Sequence, residues 1–568
     1  MIRLAAGLLY RQVEAALVLS PSAEMNSGLS RGPSVSSIQF EMDTFGQPDA
    51  SNPASFPAAL PRGGGVGAGP PTLRLRTIRL YQMCDAFTGP LIYFMVIFGP
   101  WAFGTTQRWS VWTMTVAGFA LGMLLGIKLF IRLYGGYRVP RWGDHPSGAH
   151  ATGQYGIIYW GSVWTRLLAL LTVAILGYCL IAALNARSTC RPDLVGFEYH
   201  RYVPWLPHSY AARHSWFAFW NYLGLALAFW SLRDWLLGQT AGESRAARGK
   251  DPAAASLPKS PLPARLRRLL WLVAVNAAVL SLVGIIQRAS GTDKVLWLVK
   301  PRIPAGAFGP YNYQSNAAQY FNLVWPVSLA FWWTLRRGVR RGLRPGGPFG
   351  GWGYQLLLPC AMITALGPLI SNSRAGAIIG TANLMIAISI LLLSRRRREG
   401  LAKLGTFLLF VTTLLLGVGF GWSQLGPRME QIRQDFDSRE SMYRTGRIMA
   451  QDCPVFGTGP GTFDPLFQLY RSSPDEYWPA QLHNDWLETR ITFGWLGSGL
   501  IGLALAAILI RWFAPGGIQA GWRFSALLWL ALVGCLAHAR FDFPFQVHSI
   551  LFLFLLFCAI LSVSSRRS

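Results

Sequence analysis

The chain alternates between long apolar runs and short polar, often basic, links. Apolar runs of spanning length fall near 86–106, 109–131, 163–185, 215–237, 267–287, 317–335, 353–371, 375–394, 404–423, 496–514, 523–540 and 544–563. Each is close to the roughly 20 residues an α-helix needs to cross the hydrocarbon of a bilayer. The runs are far longer than the strands of a membrane barrel and lack their alternation. The pattern predicts an all-α polytopic membrane protein with about twelve transmembrane helices. One polar interval interrupts it. Between the ninth and tenth runs lies a long, partly helical loop over 424–494, which ends in His483-Asn484 and then Gly494-Trp495-Leu496-Gly497, where the next apolar run begins. The expected organisation is therefore a tail over 1–80, spans 1–9 over 81–423, the loop over 424–494, and spans 10–12 over 495–568.

Composition agrees with that class. Of 568 residues, 52% are hydrophobic and only 14% charged, too few charges to cover a soluble surface of this size. A net charge of +27 raises the question of nucleic acid. Most Lys and Arg, however, sit in short clusters at the ends of apolar runs, which is topology charge reinforced by anionic lipid. We therefore expect no nucleic-acid partner.

The same clusters set the orientation. If the first span starts inside, the inner ends carry Arg74, Arg76 and Arg79, then Lys128, Arg132, Arg138 and Arg141, then the cations between Arg245 and Arg268. Arg336 to Arg344, Arg395 to Arg398, Arg511 with Arg523, and Arg566 with Arg567 follow on the same side. Alternate loops thus satisfy the positive-inside rule. Both termini are expected in the cytoplasm of a bacterial inner membrane, and the 424–494 loop in the periplasm. The outer loops still hold cations (Arg374, Arg439, Arg444, Arg447, Arg540) that topology does not explain, and a subset converging on one anion is the sharper reading.

Residues 1–70, rich in Ser, Pro, Gly and Ala, read as a disordered cytosolic tail, with an upstream mis-assigned start codon as the competing reading. The seven Cys are scattered singly. Cys190 and Cys453 fall in loops of the same outer face, where two free thiols are expected before a disulfide.

Four outer stretches carry candidate chemistry: Gly309-Pro310-Tyr311-Asn312-Tyr313-Gln314-Ser315-Asn316; Ser371-Asn372-Ser373-Arg374-Ala375-Gly376; Arg439 to Phe463, including Pro454 to Gly461; and the His483 segment. Together, over Gly309 to the C-terminus, they resemble the O-antigen ligase family of membrane glycosyltransferases, which includes O-antigen polymerases. The most specific part is H-[N/S/Q]-x9-G-x-x-G over His483 to Gly497. S-x-S-R-x-G at Ser371 and P-x-x-G-x-G-x-G-x-F over Pro454 to Phe463 support it.

The resemblance implies transfer of a saccharide from a polyprenyl-pyrophosphate carrier to a hydroxyl acceptor, such as lipid A core, at the periplasmic face. A polymerase, a protein O-oligosaccharyltransferase, and a flippase of the lipid-linked glycan are the alternatives. By resemblance His483 is the base, against a plain helix-start histidine. Arg374 contacts the pyrophosphate, against an end-of-helix anchor. Relatives carry R-x-x-x-aromatic in the loop, which Arg439 with Tyr443 fits and Arg444 rivals. Asn484 orients His483 or caps its helix; Asn316 lines the pocket or begins its helix. Arg540 and Asp542 form a structural pair or touch substrate. The Gly457, Gly459, Gly461 series reads as turn-making glycine rather than a phosphate cradle, and the flanking Trp101, Trp109, Trp160, Trp325, Trp486 and Trp495 as an interfacial belt. No DxD motif or other metal constellation stands out, in keeping with a metal-independent transferase that needs no cofactor.

Overall fold

The computed structural model describes residues 75–137, 139–142, 154–191, 196–247, 261–301, 306–343, 350–392, 432–471, 480–511, 513 and 518–565, with isolated residues at 407, 411, 415 and 419. All belong to the unit Pro70–Ser568. Of the expected tail over 1–80, residues 1–74 lie outside the described residues and 75–80 open the first helix; the ninth apolar run also lies outside them, apart from those isolated positions.

The elements are overwhelmingly helical. They are α1 (Leu75–Trp101), α2 (Arg108–Gly135), α3 (Gln154–Leu184), a hairpin of β1 (Ser188–Arg191) and β2 (Gly196–Tyr199), α4 (Ala212–Leu237), α5 (Ala241–Ala247), α6 (Ala264–Ala289), α7 (Gln314–Val339), α8 (Leu357–Ile370), α9 (Arg374–Leu392), α10 (Ile432–Asp452), α11 (Phe463–Tyr470), α12 (Asp485–Arg511), β3 (Ile518–Gln519), α13 (Trp522–His538), α14 (His548–Val563) and β4 (Ser564–Ser565). Seven helices among the described residues are long and apolar enough to cross a membrane: α1, α2, α3 from Val163, α6, α8 with its preceding 3₁₀ turn, α9 and α12. The apolar helices α13 and α14 are shorter. The protein is a multi-pass membrane protein; its described helices do not establish the count of twelve.

The core is organised on α7, which is buried on all sides and packs against α6, α8, α9 and α13. Helices buried all round are usually apolar, yet the first turns of α7 carry Gln314, Ser315, Asn316, Gln319 and Asn322, every one buried. Its Trp325 is 1% exposed, so it belongs to the core and not to the interfacial belt expected of it. Trp109, Trp486 and Trp495 do stay exposed. Helices α2 and α4 approach through Gly118 and Gly224, where a Cβ on Gly118 would fall 2.3 Å from the Gly224 carbonyl oxygen. Small residues at such crossings let backbones pack closely in lipid.

At one end of the bundle, Lys128, 1% exposed, bridges Asp85 at 3.0 Å and Asp234 at 2.9 Å. Arg132 and Arg141 also reach Asp234, at 2.6 and 2.5 Å, and Arg265 pairs with Asp85. These cations do more than mark topology: they tie α1, α2, α4 and α6 together, because a carboxylate at that depth must be paired.

The other end is capped by β1–β2, α10, α11 and the start of α12. Tyr443, Met449, Phe463, Phe467, Leu482 and Ile491 form a small apolar core there. Cys190 and Cys453 are free thiols, and Cys453 lies 3.5 Å from the Tyr210 hydroxyl.

Candidate functional site

The site is built from the start of α12. Asn484 caps it: its Oδ1 accepts the Leu487 amide at 3.2 Å. Two first-turn carboxylates then brace the preceding backbone. Glu488 reaches back to accept the Leu482 amide at 2.8 Å, two residues ahead of the cap. Asp485 accepts the Phe545 amide at 2.7 Å and the Gln546 side-chain amide at 3.2 Å, while its own N–H donates to the Ala539 carbonyl at 2.9 Å. His483, between these braces, has φ of 56°, a left-handed conformation that costs a non-glycine residue about 1–2 kcal/mol. The hydroxyl of Tyr443 holds its carbonyl at 2.9 Å. The strain is sustained by contacts from three directions, a pattern common where backbone geometry serves a site.

This geometry presents the imidazole to Asp542. His483 Nδ1 lies 3.1 Å from Asp542 Oδ1, with Asp542 side chain 3% exposed. The other carboxylate oxygen accepts the Ser315 hydroxyl, and lies 3.4 Å from the Tyr313 hydroxyl. Ser373 Oγ donates to Ser315 Oγ at 3.2 Å. A chain of contacts thus runs from α12 through the α13–α14 turn and the start of α7 to the Ser371–Arg374 link. Burial pushes the Asp542 carboxyl up, but the hydrogen bond and charge of His483 and the Ser315 hydroxyl outweigh it and leave it below its ordinary 3.8. Burial, then the neighbouring Asp542 carboxylate, raise the Tyr313 phenol. Tyr313 and Phe543 stack at 5.5 Å, and Phe543 meets the imidazole edge-on at 4.8 Å, which fixes the ring plane.

The expected arginines divide. Arg439 donates to the Phe541 carbonyl at 2.8 Å and lies within hydrogen-bond reach of the Tyr313 and Tyr443 hydroxyls, so it belongs to the His483 cluster. Arg374 is half-buried and directly follows Ser373, on the same end of the bundle. Arg444 is exposed on α10. Arg540 is exposed as well, and the expected Arg540–Asp542 pair is not made: Asp542 turns inward to His483 and Ser315, because the α13–α14 turn packs under the imidazole. Asn484 serves as a cap. Asn316 is buried beside Ser315, and its Oδ1 has no partner among the described residues. Buried atoms of Gln314, Gln319 and Asn372 are orphaned in the same way. Such atoms ask for a ligand or ordered water.

The glycine series has a structural task. Helix α12 breaks at Gly494 (φ 61°, ψ −166°), and a Cβ there would sit 2.2 Å from the Val455 carbonyl oxygen. The Pro454–Gly461 stretch fills the break. Thr458 N–H donates to Ile491 O at 2.8 Å, Gly459 N–H to Thr492 O at 3.0 Å, and Trp495 N–H returns to Pro454 O at 2.9 Å. With Gly457 N–H also bonded, to Cys453 O at 3.1 Å, these amides are spent on the fold and form no phosphate cradle.

Residues 359–502 match the family model described as O-Antigen ligase. The chain carries an O-antigen ligase domain. No curated protein and no solved structure matches the chain. The O-antigen ligase domain covers most of α8, then α9, α10 and α11, and α12 past its break, and so contains Arg374, Arg439, Arg444, His483 and Asn484. Ser315, Asn316, Arg540 and Asp542 lie beyond it. The domain supports an O-antigen ligase- or polymerase-like function in polysaccharide biosynthesis. Sequence reasoning named Asp542 for the wrong partner and passed over Ser315, Ser373 and the bracing pair Asp485 and Glu488. Ser373 stood inside a quoted motif, whereas nothing local marks Asp485 and Glu488 apart from a helix-start acid pattern.

Proposed function

We propose that the protein is a membrane glycosyltransferase that moves a saccharide from a polyprenyl-pyrophosphate carrier to a hydroxyl acceptor, lipid A core or a comparable glycan, at the periplasmic face of a bacterial inner membrane. The acceptor oxygen attacks the anomeric carbon as the bond from that carbon to the pyrophosphate oxygen breaks. The hydroxyl proton passes to His483 Nε2, and the pyrophosphate departs as an anion on its carrier. Imidazole, with a reference pKa of about 6.5, suits this proton transfer.

The observation that carries the reading is the His483–Asp542 pair at 3.1 Å. A carboxylate that accepts from Nδ1–H leaves Nε2 with its lone pair and stabilises the imidazolium that forms, the logic of a base oriented by a buried acid. Arg439 and Arg374, with Arg444 at the loop surface, supply the positive charge for the leaving pyrophosphate. The orphaned amide groups of Asn316, Gln319 and Asn372 are suited to the donor's polar atoms.

The test is transfer in proteoliposomes holding a lipid-linked saccharide and an acceptor, read by product mass. His483→Ala is expected to lower transfer by about 10²–10⁴-fold while the protein still inserts. Full transfer by a well-folded His483→Ala variant would remove the assignment. Movement of the lipid-linked saccharide across the bilayer without bond formation, unaffected by the variant, would make the protein a flippase instead.

A further inference from the structure

The link between α6 and α7 carries an exposed apolar tip that takes no part in the His483 cluster. On the membrane span α6, Val275, Val279, Leu282 and Ile286 recur at helical spacing and are all exposed, so they form one apolar stripe. One turn further along the same face lies Ser290, whose Oγ accepts the Trp297 indole N–H at 2.8 Å. The indole is thereby held over the end of the stripe. Trp297, Leu298 (60% exposed) and Val299 make an unbroken exposed apolar run, which a loop facing water ordinarily avoids.

The backbone is shaped to present that run. Leu296 and Trp297 have φ of 51° and 61°, and the Leu298 N–H donates to the Val295 carbonyl at 3.0 Å, so they are the central residues of a tight turn. Consecutive left-handed positions suit Asn-Gly best; leucine and tryptophan are strained there. Val295, 3% exposed, plugs the base of the turn and donates its N–H to the Val299 carbonyl at 2.8 Å. The side-chain amide of buried Gln287 donates to the Lys294 carbonyl at 2.8 Å, a second tie to the end of α6. That end lies beside the His483 cluster. A Cβ on Gly284 would meet the Phe308 ring, and Tyr313 and Ser315, shortly after it in the chain, reach the Asp542 carboxylate. Exposed lysines, Lys294 and Lys300, flank the tip, against one exposed acid, Asp293.

We propose that this turn is a foot on the bilayer: Trp297, Leu298 and Val299 sit in the interfacial layer of the leaflet beside the His483 end, and Lys294 and Lys300 meet the phosphates of anionic phospholipid. Lipid is the partner because the tip prolongs the exposed apolar stripe of a membrane span. Tryptophan at headgroup level with cations on either side is also the combination that an anionic interface attracts. The inference stands on the membrane spans and not on the transfer reaction.

The experiment places the full wild-type chain in mixed phosphatidylcholine and phosphatidylglycerol vesicles containing a trace of phosphatidylglycerol with a photoactivatable diazirine near its headgroup. Adducts are mapped by mass spectrometry. They are expected on Trp297, Leu298 and Val299, about five-fold more than from a phosphatidylcholine carrying the same diazirine. That preference should disappear in the double variant Lys294→Gln, Lys300→Gln. Leu298→Asp, which changes a mostly exposed side chain, should lower the adducts at the tip several-fold. Labelling of the tip by a water-soluble diazirine with no lipid adduct would overturn the proposal. Equal labelling by the two lipids would remove the anionic partner it names. Protection of the tip from both reagents would mean that another protein surface covers it, and would reject lipid as well.

Discussion

The two ends of the bundle use buried polarity in opposite ways. At the Lys128 end, Asp234 meets Lys128, Arg132 and Arg141, and Asp85 meets Lys128 and Arg265, so each carboxylate is covered by at least two cations. At the His483 end the polar atoms exceed their partners. Asn316 Oδ1, Asn372 Oδ1 and both ends of the Gln319 amide are buried and unpaired, and the imidazole sits on a strained backbone with one nitrogen bonded and 23% of its side chain exposed. Covered carboxylates are what a structural network needs, since a half-paired buried charge is costly, even though Arg132 Nε in that network is itself buried without a partner. Buried polar atoms without a protein partner suit a binding site, whose ligand or ordered water can supply the missing hydrogen bonds. The contrast separates the two roles without reference to family.

The sharpest way to break it is to remove one member from each end and read both activity and stability. His483→Ala should lose the transfer activity described above while its thermal midpoint in detergent stays close to that of the wild type. Lys128→Met should do the reverse. It takes one cation from each carboxylate, leaving Arg265 on Asp85 and Arg132 with Arg141 on Asp234; breaking a buried pair costs up to about 3–5 kcal/mol, so the thermal midpoint should fall while whatever protein remains folded still transfers saccharide. A Lys128→Met protein as stable as the wild type would show that the Lys128 network is not the clamp its geometry suggests.

How far the sequence announced this contrast depends on distance along the chain. The apolar runs located the helices closely: 215–237 became Ala212–Leu237 and 523–540 became Trp522–His538. Basic clusters, however, say nothing about partners, and Lys128 looked like an ordinary topology charge because Asp85 and Asp234 lie 43 and 106 residues away. The tenth run was expected from 496, but the helix starts at Asp485 and breaks at Gly494, since a polar first segment carries no hydropathy signal and the break depends on the docked Pro454–Gly461 stretch. Within the site, the His483 motif and the Ser373-Arg374 link were legible from local spacing. The partnership of His483 with Asp542, 59 residues on, was not, because the D-F-P element offers an equally plausible neighbour in Arg540 and only the folded turn chooses between them.

Asp542→Asn tests the site end more finely. The change keeps the side chain's shape and removes the charge that orients and stabilises His483. Hydrogen bonds to charged groups contribute about 1.5–3 kcal/mol, or roughly ten- to a hundredfold in rate. The expected signature is a fall in kcat with little change in the KM for the lipid-linked donor. A KM effect alone would move Asp542 from orienting the base to holding the donor.

The smallest effect expected is on acid stability, and it isolates the same carboxylate. Asp542 is held below its ordinary 3.8 in the fold, so the unfolded chain takes up its proton first as pH falls. The stability it contributes is therefore complete above that ordinary value and drains away as the pH drops through the lower folded value. Tryptophan fluorescence followed during thermal unfolding at a series of pH values down to about 3 should show a loss in wild type that is reduced in Asp542→Asn, which has no proton to gain. The Lys128 end holds ion-paired carboxylates of its own, Asp85 and Asp234, so part of the acid loss will persist in the variant. Only the difference between the two proteins reports on the His483 end. Identical acid profiles would mean that the imidazole leaves Asp542 no more ionised in the fold than in the unfolded chain, and the picture of a carboxylate committed to His483 would have to be given up.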